Sequence, residues 1–250
     1  MRFKIDADDL KSYLERASLK KNLGDNLLIE VATESVYFYN GDSTCVVKLF
    51  IDANAEQEGS VIVSIKKLLA FARKFKGEVT IERIDGGISL TCGKKVATMP
   101  IIIEEVTYKQ AEVLINGITF QQDLETLPSW RGDSWTFEFG AKLHASKLEE
   151  AISTCDIIKT GIYTFDVESE ELEEQTKLSL TVSSGAINNG GKYKETIPSI
   201  CIGEPATVSF SAPLHVAFDK SSTINIFLKD DSPLVLVSAD AIIMKAPRME

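Results

Sequence analysis

The chain holds two histidines, four cysteines and two tryptophans in 250 residues, and these scarcities remove whole classes of chemistry. His144 lies beside a helix start and His215 in a short helical stretch; neither has ligand spacing or a neighbouring nucleophile, so no catalytic triad is indicated. Cys45, Cys92, Cys155 and Cys201 are isolated within apolar or strand-like runs. That pattern belongs to reduced structural thiols, not to a disulfide framework or a metal clip. The acidic run Asp166 to Glu174 alternates with Val167, Ser169 and Leu172 and lacks the turn glycine of a calcium loop, so it reads as a solvated loop. Gly185 to Gly191 has neither phosphate-loop spacing nor a following helix and reads as a hairpin turn. No run approaches the ~18 apolar residues of a membrane span, and the basic start MRFKIDADD turns acidic at once. The expectation is a cytoplasmic globular protein that is not an enzyme, because no cluster of titratable groups converges. No metal, cofactor or membrane partner is expected.

What is present is uneven charge. The formal net charge is -10, yet Ser64 to Lys76, SIKKLLAFARKFK, contains no acidic residue. Ile65, Leu68, Leu69, Ala72 and Phe75 recur at helical spacing, with Lys66, Lys67, Arg73 and Lys74 on the opposite side. Ser64 is placed to cap this helix and Gly77 to end it. A solvated lysine face on an ordinary surface helix would show the same pattern, so the rest of the chain decides its meaning.

A content of 44% hydrophobic residues supplies real cores, and the length fits two domains of ordinary size. A strand over Met1 to Ile5 leads into a helix striped by Leu10, Leu14 and Ala17. Strands follow at Asn26 to Ala32, Ser35 to Tyr39, Cys45 to Asp52 and Glu58 to Val63. After the basic helix come Glu78 to Arg83, Gly87 to Cys92 and Val96 to Ile101. The second half repeats this order. Trp135 to Phe139 reads as a strand, Lys142 to Asp156 as a helix, and Gly161 to Val167, Leu178 to Ser184 and Lys192 to Ile200 as strands. Ala206 to Phe210 then precedes a short helix, Ala212 to Ser221, and Thr223 to Lys229, Leu234 to Ser238 and Ala241 to Lys245 close the copy. Internal repetition of this kind means two similar α+β domains. Between them, Tyr108 to Ile118 reads as an extra strand and Thr119 to Ser134 as a connector carrying Leu124, Leu127, Pro128 and Trp130.

In this order of elements the chain resembles the DNA sliding clamps, both the two-domain proliferating cell nuclear antigen and the bacterial replicase β clamp. Gly41-Asp42-Ser43-Thr44-Cys45-Val46, Asp123-Leu124-Glu125-Thr126-Leu127-Pro128, Ser232-Pro233-Leu234-Val235 and Ala246-Pro247-Arg248 are similar to stretches of the first family. Trp135 to Asp156 and Gly161 to Pro198 are similar to the middle domain of the second. Three departures stand out: the helix at Ala212 to Ser221 is short, the third helix carries Glu149 and Glu150, and Cys45 stands where a histidine is common.

The resemblance implies an N-terminal clamp domain over 1–117, a connector over 118–134 and a C-terminal clamp domain over 135–250, with helices lining a bore and antiparallel sheets outside. It implies a homotrimeric ring that encircles duplex DNA without reading its sequence and tethers DNA polymerase, with a clamp loader and other client proteins as partners. The location would be cytoplasmic and nucleoid-associated, or nuclear in a eukaryote. DNA-facing residues would be Lys11, Arg16, Lys20, Lys66, Lys67, Arg73, Lys74, Lys147 and Lys220. Client peptides would dock on Thr44, Cys45, Val46, Leu124, Leu127, Pro128, Pro233, Ala246, Pro247 and Arg248, although Leu124 and Leu127 would equally serve to pin the connector. Subunits would join by pairing edge strands at Gln110 to Gly117 and Lys192 to Ile200, through Val113, Leu114 and Ile115 with Tyr193, Lys194 and Thr196. A clamp-fold subunit of a heteromeric, checkpoint-type ring is the alternative.

Overall fold

The structure, a computed structural model, describes residues 1–19, 23–103, 115–118, 124–130, 135–172, 175–185, 191–211 and 217–248. The chain divides into two compact units, Met1–Val113 and Leu114–Glu250. The first runs β1 (Arg2–Asp6), α1 (Ala7–Ala17), β2 (Asn26–Ala32), β3 (Ser35–Gly41), β4 (Cys45–Ile51), β5 (Asn54–Gln57), β6 (Gly59–Ser64), α2 (Ile65–Ala72), β7 (Glu78–Ile84), β8 (Gly87–Cys92) and β9 (Lys95–Pro100). Within this unit the antiparallel strands lie in the orders β5-β1-β7-β8-β9 and β4-β3-β2-β6.

Both helices form because their ends are satisfied and one face is apolar. The Asp6 carboxylate accepts from the Asp8 backbone N–H at 2.8 Å, and Asp8 and Asp9 sit in the first turn of α1 with Arg16 in its last. Leu10, Leu14 and Ala17 are 0% exposed, which is where the stripe read from the sequence goes. In α2 the Ser64 hydroxyl accepts from the Lys67 N–H at 3.3 Å. Asp25 adds a second cap from beyond the helix, its carboxylate accepting from the Lys66 N–H at 3.0 Å and from the Ser64 hydroxyl at 2.7 Å. Gly77, at φ +83, follows the helix and lends its carbonyl to the Ala7 N–H at 3.0 Å, which ties the two helix ends together. Between helices and sheet, Phe3 meets Phe38 edge-on at 6.4 Å, and both are fully buried.

The second unit contains β10 (Ser129–Trp130), β11 (Trp135–Thr136), β12 (Phe139–His144), α3 (Ala145–Cys155), a 3-10 turn at Asp156–Ile158, β13 (Ile162–Leu172), β14 (Gln175–Gly185), β15 (Lys192–Ile197), β16 (Ile200–Gly203), β17 (Thr207–Ser211), β18 (Thr223–Leu228), β19 (Leu234–Val237) and β20 (Ala241–Lys245). Among the described residues β10 pairs only with β11; the remaining strands lie in the orders β16-β12-β18-β19-β20 and β15-β14-β13-β17. These are the two sheets of the first unit again, strand for strand, and the α+β class expected from the sequence is what the chain adopts. The repetition reaches further than the sequence reading did. β5 and β16 were not anticipated as separate strands, and they occupy equivalent positions, β5 beside β1 and β16 beside β12.

Several expectations are corrected. Residues Lys142 to His144 continue β12 and do not begin the helix, because Phe139, Ala141 and Leu143 alternate into the core and that period-two burial overrides the helical reading. The acidic run is strand as far as Leu172: Tyr163, Phe165 and Val167 bury one face while Glu170 stands across from Lys177. Pro198 divides Lys192 to Ile200 into β15 and β16. Of the helix expected over Ala212 to Ser221, residues 212–216 lie outside the described residues, Ala217 is 3-10 helical, and Phe218 to Ser221 form a bend and turn. There the Asp219 carboxylate accepts from the Ser221 N–H at 2.8 Å and competes with helical bonding. Of the expected strand ending at Gly117, residues 110–114 are likewise outside the described residues. Ile115 and Asn116 take a helical turn, with Ile115 1% exposed and packed inside, not displayed on an edge.

Candidate nucleic-acid interface

The basic strip survives in the structure in an altered form. The helix is two turns long, and Arg73, Lys74 and Lys76 follow it in a turn that ends at Gly77. Lys66, Lys67, Arg73, Lys74 and Lys76 are all exposed. Arg73 pairs with Glu15 of α1 at 3.0 Å, whereas Lys66, Lys67, Lys74 and Lys76 make no ion pair among the described residues. Lys66 and Lys67 stand in the first turn, where the helix dipole disfavours cations, and the Asp25 carboxylate offsets that cost. Lys76 and Lys95 were not anticipated. Lys95, the first residue of β9, donates to the Lys74 carbonyl at 2.9 Å and so joins the C-terminal end of the strip. The signal available beforehand was Gly93-Lys94-Lys95, which marks a turn but not where the turn lands.

The other expected cations are less free. Lys11 and Arg16 are half-buried on α1, with the Arg16 guanidinium 5.4 Å above the Tyr13 ring. Lys20 lies outside the described residues. On the second unit Lys147 bonds Glu150 at 2.8 Å and Lys220 bonds Glu149 at 3.0 Å. The hydrogen bond to Glu150, backed by its charge, holds the Lys147 ammonium above the usual lysine range.

The expected docking residues are placed separately in each unit. In the first, Gly41 is required because a Cβ there would stand 2.8 Å from the Cys45 carbonyl. One Asp42 carboxylate oxygen accepts from the Thr44 N–H at 2.7 Å, the Thr44 hydroxyl at 2.9 Å and the Cys45 N–H at 2.9 Å. This turn leaves Thr44 exposed and Cys45 and Val46 buried. In the second, Leu124 and Leu127 sit over Gly140 of β12, where a Cβ would come within 3.0 and 3.1 Å of their methyl carbons. Pro128 is buried and its carbonyl accepts from the Phe137 N–H at 3.2 Å, so these residues do pin their segment. Both leucines nevertheless stay half-exposed, as do Pro233, Ala246 and Pro247. Arg248 is exposed, and its N–H donates to the Ser209 carbonyl at 2.8 Å, anchoring the terminal segment to β17. Replacing Asp42 with alanine is expected to cost about 1–2 kcal/mol and to broaden the amide resonances of Thr44 and Cys45; unchanged spectra and stability would show the turn to be self-supporting.

Of the expected interface residues, Val113 and Leu114 lie outside the described residues. Tyr193, Lys194 and Thr196 lie on β15, which ends its sheet and pairs only with β14 among the described residues. Lys194 bonds Glu168 on the same sheet. Burial pushes the Cys155 thiol up to about 11, and no group of three or more potential metal ligands occurs among the described residues. No helix described is long and apolar enough to cross a membrane.

No protein-family model and no curated protein matches the chain. Solved structures do. A. fulgidus PCNA, solved with the C-terminal region of FEN-1 bound, aligns over 100% of this chain and 98% of its own with a TM-score of 0.70 at 13% identity. This chain has the sliding-clamp fold. The clamp fold is matched equally by the DNA polymerase sliding clamp of Pseudomonas aeruginosa, with a TM-score of 0.72 at 16% identity over 100% of this chain and 67% of the other. It is matched again in the PCNA2-PCNA3 complex of Sulfolobus tokodaii, with a TM-score of 0.67 at 17% identity over 100% of both chains.

Proposed function

We propose that this protein is a DNA sliding clamp, a homotrimeric ring that encircles duplex DNA and tethers DNA polymerase and other clients. The observation that carries the reading is the pairing of a clamp fold over the whole chain with a helix that presents unpaired lysines in a protein of net charge -10. Lysines of this kind attract phosphates without reading bases, and an acidic remainder repels DNA from other surfaces, which together favour sliding over gripping. The alignment with nearly the full length of a PCNA chain supports three copies per ring in place of two. The test is topological. Protein threaded onto linear duplex is expected to remain after both ends are blocked and to leave when one end is reopened. Loss at the same rate from blocked and open DNA would refute encirclement.

The reading extends to clients. Leu124, Leu127, Pro233, Ala246 and Pro247 of the second unit are half-exposed and apolar, suited to a short peptide with aliphatic and aromatic anchors. A peptide with a glutamine followed by such anchors is expected to bind with a Kd of about 1–10 μM, because apolar burial is largely offset by ordering. Leu127→Ala and a chain ending at Lys245 are each expected to weaken it by about tenfold, roughly 1.4 kcal/mol, with the oligomer intact. Equal binding by all three proteins in a titration would move the docking site elsewhere.

A heteromeric ring is the second reading, and the aligned PCNA2-PCNA3 complex shows that chains of this fold occur together in one complex. A solution mass near three times 27.5 kDa for the protein alone supports the homotrimer; a mass that rises above one protomer only with a second clamp-fold chain supports the heteromer.

A further inference from the structure

We infer that in each protomer the contact with DNA is confined to the N-terminal unit, through α2 and the turn after it, and that Glu149 and Glu150 hold the helix α3 surface of the C-terminal unit electrostatically silent. This rests on the proposed clamp function.

The two units repeat one another in strand order, so α1 corresponds to α3, and α2 to the stretch after β17, of which residues 212–216 lie outside the described residues. The charges of α2 are not repeated there: Ala212 to Ser221 carries one lysine, Lys220, and one carboxylate, Asp219. Ser64 to Lys76 carries Lys66, Lys67, Arg73, Lys74 and Lys76 and no carboxylate. Among the described residues only Arg73 of these is engaged, by Glu15, and Lys95 adds a further cation beside Lys74. On α3 the exposed or half-exposed side chains are Ser146, Lys147, Glu149, Glu150, Ser153 and Thr154, one cation against two carboxylates. Both carboxylates are occupied: Glu150 lies 2.8 Å from Lys147, and Glu149 lies 3.0 Å from Lys220. Lys220 itself belongs to a segment whose nearest ionised neighbour in sequence is Asp219.

Such exposed pairs contribute little stability, but their effect on a passing phosphate is a separate matter. An ammonium with a carboxylate at about 3 Å presents a dipole, whose potential fades well within the ~8–10 Å screening length of physiological salt, whereas four unpaired lysines present a field that persists over that distance. Because counterion release counts net phosphate neutralisation, the unpaired lysines should account for nearly all of the salt dependence of DNA binding.

The test measures binding to a linear duplex across a salt series. K66A/K67A/K74A/K76A is expected to lower affinity at least tenfold at about 50 mM salt and to flatten the slope of log K against log salt by about 0.9 for each phosphate no longer neutralised. E149Q/E150Q releases Lys147 and Lys220 and is expected to raise affinity and steepen the slope. E170Q/E171Q makes the same change in net charge on the exposed β13–β14 hairpin and is expected to alter neither. The inference is overturned if E149Q/E150Q leaves the slope unchanged, or if the hairpin variant steepens it equally, since the effect would then be one of net charge. A wild type that passes the blocked-end test while failing here leaves the clamp reading standing; a wild type that fails both overturns the two together.

Discussion

Proline at Lys194 and proline at Glu195 are expected to give opposite phenotypes. β15 ends its sheet, so successive backbone N–H groups point alternately at β14 and away from it. A proline whose missing N–H faced β14 removes a ladder bond inside the protomer and lowers its stability by roughly 3 kcal/mol. At the neighbouring position the lost N–H faces outward, the protomer stays folded, and only pairing with another chain is removed. One variant should therefore unfold at lower denaturant, while the other should keep its midpoint and fall from a trimer to 27.5 kDa by light scattering. Two folded trimers, or a monomeric wild type at micromolar concentration, would sink the β15 interface and with it the route to a closed ring.

Gly203→Ala is expected to be among the most destabilising single changes in the chain. Gly203 has φ +100, a region open to glycine almost alone, and a Cβ built on it would stand 2.1 Å from the Glu138 carbonyl oxygen. That oxygen already accepts from the Glu204 N–H at 2.8 Å and belongs to the entry into β12, so it has nowhere to retreat without loosening the pairing of Phe139 with Gly203. Backbone strain of about 1–3 kcal/mol and a similar steric term predict a loss of roughly 3–5 kcal/mol. Gly77→Ala is the control: φ is +83 but nothing lies within 4 Å, so only strain of about 1 kcal/mol remains. Urea midpoints at constant m measure both. A Gly203→Ala loss no larger than that of Gly77→Ala would mean the β12–β16 edge yields more easily than its geometry implies.

By itself the sequence determined the features that are local and periodic: helix α1 with its buried Leu10, Leu14 and Ala17, the cationic strip flanking a Ser64 cap, the alternating strands, and the repetition that announces two like units. These are legible because helix and strand impose their periods on apolar residues within a few turns. It misread Lys142 to His144, where a few residues satisfy either period and burial of Leu143 against the sheet settles the choice. It misread the acidic run for a related reason: carboxylates on the outward face of a long hairpin look like a loop until the inward face is seen to be buried. What only tertiary structure decided are the pairings between residues far apart in the chain. Asp25 caps α2, Lys95 reaches the Lys74 carbonyl, Leu124 and Leu127 rest on Gly140, and Glu149 neutralises Lys220. Whether a lysine is a free charge or half of an ion pair depends on which carboxylate the fold brings within about 4 Å of it, and a linear pattern of residues does not contain that distance.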